Sequence, residues 1–235
     1  MNSSSSDISQ NFLRTVRSFV RRTGRITPSQ QRALDQLWPR YGVNAGESTL
    51  DFVKLFENDN PVILEIGFGN GRSLTQMALA QPHQNFIGIE VHKPGVGALL
   101  LQLESQAINN VRVISADAVS VLNNNISPES LRAVYLFFPD PWPKKRHRKR
   151  RIIQDEFVQL VRTRLMIEGK FHMATDWQDY AEHMLAVMDR ASGFKNEAGP
   201  GCFALRPEHR PLTKFEARGK KLGHGVWDLI YTREY

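Results

Sequence analysis

Apolar residues fall in short continuous runs at 62–66, 85–90, 111–115, 133–138, 169–174 and 226–231, which read as strands buried on both faces. Between them, residues 73–80, 94–108, 152–166 and 177–191 carry the wider spacing of helices with one apolar face. Strands alternating with helices predict an α/β fold, mostly a parallel sheet with helices on both faces. No helix follows the last run, Val226-Trp227-Asp228-Leu229-Ile230-Tyr231, so it reads as the final strand, antiparallel to its neighbours if it follows another strand by a tight return. Residues 195–225 are rich in Gly, Pro and charge and read as irregular, with a short strand at 202–205. Residues 1–10 are polar and read as a disordered tail. Residues 11–55 read as a basic, partly helical arm, in which Arg14, Arg17, Arg21, Arg22, Arg25, Arg32 and Arg40 face one acid, Asp35, before position 41. Residues 56–235 show no internal repeat and no linker, and read as a single domain.

The first strand changes this outline into a site. Pro61-Val62-Ile63-Leu64 runs into Glu65-Ile66-Gly67-Phe68-Gly69-Asn70-Gly71, a helix follows, and the next strand ends on Glu90. The glycines let backbone approach a ligand closely and turn into a helix N-terminus. A carboxylate about 20 residues past the turn can accept from both hydroxyls of a ribose. A pyrophosphate site would favour Gly-x-Gly-x-x-Gly, and Glu65 would repel that anion. The acid suits a ligand carrying an ammonium and a sulfonium, so charge complementarity favours S-adenosylmethionine over a dinucleotide. Glycines that only tighten a turn, with Glu65 facing water, are the plainer alternative.

Charge adds a second ligand. Residues 144–151, Lys-Lys-Arg-His-Arg-Lys-Arg-Arg, hold seven Lys or Arg and no acid, which equals the whole formal surplus of +7. A focused patch of this kind points to a polyanion, and a solvated run or an import signal is the rival. The chain has one cysteine, Cys202, which excludes an internal disulfide framework and a cysteine zinc site and fits a reducing compartment. No run of about 18 apolar residues occurs, and the first residues carry no apolar leader core, so a cytoplasmic protein without a membrane span is expected.

Every central strand ends in or near an acid: Glu65, Glu90, Asp117, Asp140 and Asp176 in turn. Ligands of open α/β sheets lie outside these strand ends. Asp117 can receive the adenine amino group, although Asp117 and Asp176 also stand where helix caps stand. The fourth strand runs into Pro139-Asp140-Pro141-Trp142-Pro143, whose prolines predict a rigid, extended presentation of Asp140 and Trp142 to a flat base. The basic run starts at the next residue, Lys144, and so lies over the cofactor rim.

With these stretches in view, the chain resembles the tRNA (guanine-N7-)-methyltransferase family in its single-subunit bacterial form. The matching stretches are Arg17–Arg25, Leu64–Gly69, Phe138–His147, Ala174-Thr175-Asp176 and Thr213-Lys214-Phe215-Glu216. The resemblance implies the Rossmann-like, class I S-adenosylmethionine-dependent methyltransferase fold for residues 56–235. It implies transfer to N7 of the variable-loop guanine, position 46 of tRNA. It also implies that Glu65, Gly67, Gly69, Glu90, Asp117 and Asp140 line the cofactor site, with Asp140 also catalytic. Lys144, Asp176, Thr213, Lys214, Phe215 and Glu216 would meet the substrate. Arg146, His147, Arg148, Lys149, Arg150 and Arg151 would contact RNA. No metal and no obligate protein partner is expected, and the protein would act as a monomer or homodimer.

The chemistry needs little from the protein beyond alignment. Guanine N7 carries an in-plane lone pair and no proton, so its attack on a sulfonium methyl requires no general base, and the sequence offers no Ser/His/Asp or Cys/His set for covalent catalysis. The rivals are a nucleotide-dependent oxidoreductase, a non-catalytic RNA-binding module, and a methyltransferase acting on another RNA, an amino group or a phospholipid.

Overall fold

A computed structural model describes residues 24–46, 48–212, 216 and 225–235. The arginines Arg14, Arg17, Arg21 and Arg22, the tail 1–10, and Thr213, Lys214 and Phe215 lie outside the described residues. In chain order the elements are α1 (Pro28–Tyr41), β1 (Gly42–Val43), α2 (Phe52–Phe56), β2 (Val62–Ile66), α3 (Arg72–Ala80), β3 (Asn85–Ile89), α4 (Lys93–Ser105), β4 (Val111–Ile114), α5 (Ala118–Asn124) and β5 (Leu131–Phe137). A 3₁₀ turn (Lys145–Arg150), α6 (Asp155–Arg164), β6 (Leu165–Thr175), α7 (Gln178–Asp189), β7 (Phe194–Asn196) and β8 (Trp227–Arg233) follow.

The strands form one sheet in the order β1-β4-β3-β2-β5-β6-β8-β7. Pairings are parallel from β1 through β6, and β8 runs antiparallel to β6 and β7. The order reverses between β2 and β5, so the crevice at their carboxyl ends is the switch point at which such sheets bind ligands. β2 and β3 are buried at every position, as their unbroken apolar runs require.

Two apolar cores lie on opposite faces. One joins Val62, Leu64 and Ile66 of β2 to residues of α5, α6 and α7, including Leu122, Val158, Val161 and Met184. The other joins Ile63, Ala133, Tyr135 and Phe137 to residues of α1, α3 and α4, including Leu74, Leu99 and Leu103. The alternation along β2 places Glu65 on the second face, directly opposite Gly88 of β3 and Tyr135 of β5.

Several elements differ from the sequence expectation. The basic arm contributes a packed helix: Thr27 and Gln30 form a reciprocal capping box, Pro28 begins α1, and Ala33 and Tyr41 reach the core. α1 lies so close to α4 that a Cβ on Gly97 would meet Gln30 backbone at 2.9 Å. The short elements α2, α5 and β1 carry too few residues for a clear period. The expected strand at 202–205 is only a single bridge, Ala204 to Asp228, and the edge is made by β7 instead. β6 begins four residues before the predicted run, with Glu168 at φ 61° and a register shift against β5. No described helix is long and apolar enough to cross a membrane.

Candidate active site

The glycine turn and Glu90 form one unit. Gly67, Gly69 and Gly71 take φ of 74°, 59° and 79°, a region that a side chain makes costly. A Cβ at Gly67 or Gly69 would have nothing within 4 Å, so open space faces both positions. Glu90 accepts hydrogen bonds from three backbone N–H groups: Gly69 at 3.0 Å, Val91 at 2.7 Å and His92 at 2.9 Å. These bonds leave part of the carboxylate's acceptor capacity for a ribose.

Glu65 is the opposite case. It is 2% exposed, and its Oε2 is buried without a hydrogen-bond partner. Burial, with a smaller contribution from Glu90, pushes its carboxyl up to about 8. A buried acceptor without a donor is unusual and calls for a missing partner. A ligand ammonium would supply that donor and the compensating charge. The donor set therefore fits S-adenosylmethionine: an acid for the amino-acid end, a glycine cradle, and a second acid for the ribose.

Asp117 and Asp176 complete the rim at the ends of β4 and β6, both half-buried. Asp117 also caps α5, with Oδ2 accepting from the Ser120 N–H at 3.1 Å. Capping occupies only one of its oxygens. A cleft of about 640 Å³ opens beside Asp176, lined by Trp177, Gln178, Asp179, Glu182, Gly225 and Trp227.

The proline loop is not extended throughout. Phe138 and Trp142 take φ of 52° and 45°, the left-handed region, on either side of exposed Asp140. The expected extended geometry at Trp142 is therefore corrected. Bulky residues rarely tolerate this region, and such strain collects at functional loops. Trp142 is held by His147, edge-on at 6.0 Å, and by the Arg150 guanidinium 5.0 Å from its ring. Partial burial, then Arg146, Arg150 and Lys144, lower the His147 pKa, so the ring is neutral at pH 7.

The basic run divides into two roles. Lys144, Lys145, Arg146 and Lys149 are exposed. Arg148 is exposed but paired to Asp179 at 2.6 Å. Arg151, expected to contact RNA, is 2% exposed and points inward. Its guanidinium donates to Pro141 O at 2.9 Å, pairs with Asp179 and lies 4.7 Å from the Tyr180 ring centre. A buried guanidinium needs a carboxylate and carbonyls, and α7 and the proline loop provide both.

Glu216, expected at the substrate, is likewise 2% exposed, with its Oε2 2.7 Å from Arg210 Nη1. Arg210 is fully buried and bidentate on Asp228, through Nε at 2.7 Å and Nη2 at 2.8 Å. His172 Nε2 lies 2.7 Å from Asp228 Oδ1. The sequence reading passed over Arg210, Asp228, His172 and Asp179. A signal was present for two of them: His172 and Asp228 each interrupt an apolar run that reads as a buried strand, and a buried polar group needs a partner.

Comparison with known proteins assigns the family and the fold. A family model described as "Putative methyltransferase" matches residues 59–229. A tRNA (guanine-N(7)-)-methyltransferase of Klebsiella pneumoniae is 56% identical over 221 residues, 94% of this chain and 92% of the relative. That of Pseudoalteromonas translucida is 55% identical over 222 residues, with the same coverage. Among solved structures, the 16S rRNA methyltransferase KamB superposes with a TM-score of 0.57 at 15% identity, covering 80% of this chain and 95% of that one. A mutant of the 16S rRNA (adenine(1408)-N(1))-methyltransferase of Catenulisporales acidiphilia, solved with its cosubstrate S-adenosylmethionine, gives 0.53 at 14% identity, covering 81% and 96%. These two show the fold alone. Identity above one half across nearly the full length of both sequences carries the closer assignment: the chain belongs to the tRNA (guanine-N(7)-)-methyltransferase family.

Proposed function

We propose that the protein transfers a methyl group from S-adenosylmethionine to N7 of guanine in tRNA, at the variable-loop position 46 that the family resemblance implies. One observation carries the reading. The strained loop Phe138–Trp142 joins the acid-lined rim to the exposed cations of the 3₁₀ turn, so cofactor and polyanion meet at Asp140.

When bound, the cofactor supplies an electrophilic methyl on a sulfonium. The chain's residues bind, align and stabilise. Glu65 holds the ammonium, Glu90 the ribose, and Asp117 the adenine amino group. Asp140 accepts from guanine N1–H and N2–H₂ and so fixes the edge of the ring opposite N7. Its negative charge also favours the cationic purine that forms. No residue needs to remove a proton. Alignment of this kind is worth about 7–11 kcal/mol when the reacting atoms are near attack geometry. Lys144, Lys145, Arg146 and Lys149 hold phosphates, and Asp176 meets the substrate, as the resemblance also implies for Thr213, Lys214 and Phe215. Flipping of the base or opening of the loop would bring N7 to the methyl. With tRNA as the substrate, we infer that this work is done in the cytoplasm.

The test is nucleoside mass spectrometry of tRNA incubated with protein and methyl donor, with size-exclusion runs reading monomer or homodimer. Wild type should form 7-methylguanosine, discriminate against inosine at the target, and leave 7-deazaguanosine untouched. Asp140→Ala should lose about 10²–10³ in turnover, with far less change in cofactor affinity and weaker discrimination against inosine. Penalties from the mutation and from inosine that multiply independently would remove Asp140 from the amino edge of the base.

A further inference from the structure

The cleft beyond Asp176 holds groups that the reaction proposed at Asp140 does not use. β6 ends at Thr175, which pairs across the sheet with Trp227 of β8, and Trp177 follows two residues later as the N-cap of α7. A cap position favours Ser, Thr, Asp or Asn, whose side chain accepts from the first turn of the helix. Trp177 makes no capping bond, and its own backbone N–H donates to Thr175 Oγ1 at 3.2 Å. It is not core either, being 43% exposed. The other three tryptophans are half-buried and held: Trp38 donates to Asn44 Oδ1 at 2.9 Å, Trp142 meets His147 and Arg150, and Trp227 lies 6.5 Å from the Phe203 ring. A tryptophan that is neither cap nor core breaks two local rules, and such breaks collect where a ligand is met.

The indole lines a cleft of about 640 Å³ whose polar groups are mostly acceptors. Asp179 is occupied, since it pairs with Arg148 at 2.6 Å and with Arg151. Glu182 takes one bond from Gln178 Nε2 at 2.9 Å and keeps acceptor capacity beyond it. An aromatic face beside carboxylate oxygens suits a flat group that brings N–H donors and no negative charge of its own. A nucleobase with an exocyclic amino group has that chemistry, and a phosphate does not. The phosphates that accompany such a base have cations next to the cleft. Exposed Arg148, paired to Asp179 on the cleft wall, belongs to the same 3₁₀ turn as Lys145, Arg146 and Lys149. The cleft is therefore continuous with the surface that grips the polyanion.

We propose that this cleft takes a second base of the tRNA, a sequence neighbour of the target guanine, stacked on Trp177 with its amino group toward Glu182. The inference rests on the tRNA methyltransferase reading, which sets the target guanine at Asp140. Stacking on an aromatic side chain supplies affinity with little sequence preference, because every base has a π-face. The carboxylate of Glu182 adds the preference: it favours bases that turn an amino group to it and disfavours uracil, which turns carbonyl oxygens. A neighbour held in this way keeps the strand open on one side of the target, so the target base does not restack while N7 is aligned.

The test is a binding cycle run with S-adenosylhomocysteine present, so that no turnover is needed. Wild type, Trp177→Ala, Trp177→Leu and Trp177→Phe are titrated with tRNA and with tRNA made abasic at either neighbour of the target guanine. Trp177→Ala and Trp177→Leu should weaken tRNA binding by about 5–150-fold, the range for one lost base–aromatic stack. Trp177→Phe should keep most of the affinity, since it keeps a ring. The slope of log affinity against log salt should stay that of wild type, because no phosphate contact is lost. One of the two abasic tRNAs should weaken wild-type binding by a similar factor and cost Trp177→Ala nothing further, the non-additivity of a direct contact. At that neighbour adenosine should bind more tightly than uridine, and Glu182→Gln should narrow the difference. Unchanged affinity for S-adenosylhomocysteine certifies the fold of each variant, and Trp177→Leu carries the cycle if Trp177→Ala loses it. Penalties that multiply at both neighbours, or a flattened salt slope in Trp177→Ala, would overturn the stack. A wild type that completes the cycle yet forms no 7-methylguanosine would defeat the methyl-transfer reading alone. Normal 7-methylguanosine with penalties that multiply would defeat the cleft reading alone.

Discussion

The two sides of the switch point hold their charges by different means. On the β2–β3 side, Glu90 is served by the backbone N–H groups of Gly69, Val91 and His92, the farthest 21 positions away. One acid there, Glu65, has a buried oxygen with no donor at all. On the β5–β6–β8 side, buried arginines and a histidine are served by carboxylate side chains, Arg210 by Glu216 and Asp228 at 6 and 18 positions. Arg151 reaches Asp179 across 28 positions, and His172 reaches Asp228 across 56. The first side is short of a partner and awaits one. The second is satisfied from within and serves to place loops. An unsatisfied buried acid marks where a ligand charge belongs, while a satisfied buried pair marks a strut.

The contrast breaks most visibly at Asp179. Asp179→Ala leaves Arg151, with its side chain 1% exposed, without a carboxylate. Removing one partner of a buried pair typically costs about 3–5 kcal/mol, and urea unfolding should show a loss in that range. Arg151→Met should cost less, because Asp179 is part-exposed and keeps Arg148. Lys149→Ala, on the exposed side of the same run, should stay within about 0.5 kcal/mol. Equal losses for all three would mean that the run has no inner and outer face.

Glu65 sharpens the other half. Its folded pKa, about 8, lies above the ordinary 4.5, so the ligand-free fold binds this proton more tightly than the unfolded chain does. Stability from that difference is fully present below 4.5 and is lost as pH rises through about 8. Glu65→Gln should therefore stabilise the ligand-free protein at pH 9, by several kcal/mol on the pKa relation, and change little at pH 4. The same variant should bind S-adenosylmethionine more weakly, since it cannot pair an ammonium. Wild-type affinity should rise from pH 6 to pH 8, with proton release on binding near neutrality. Thermal melts and calorimetry across that range check both signs, and a pH-independent affinity would take Glu65 away from the ammonium.

The smallest effect concerns salt. Each phosphate contact contributes about 0.7–0.9 to the slope of log affinity against log salt. Replacing Lys144, Lys145, Arg146 and Lys149 with Ser should flatten the slope for tRNA by up to about 3 while cofactor affinity holds. Replacing Arg151 should leave the slope alone, because its charge never meets solvent.

The strand–turn–helix–strand unit from Val62 to Glu90 was legible in sequence because its causes are local. Unbroken apolar runs make doubly buried strands, glycines take the left-handed turn, and an acid at the end of the next strand falls beside that turn. The prolines of the loop and its place directly before the basic run were legible in sequence. The left-handed φ of Phe138 and Trp142 was not legible, since it goes with contacts of their rings to His147, Arg150 and Arg210 that form only in the fold. Seven cations in a row looked equivalent in sequence. Only the fold decided that Arg151 turns inward, because α7 brings Asp179 to it, and that Glu216 is spent on Arg210 beneath β8. A charge's partner depends on which strands become neighbours, and residues 56 positions apart meet only after the sheet has formed.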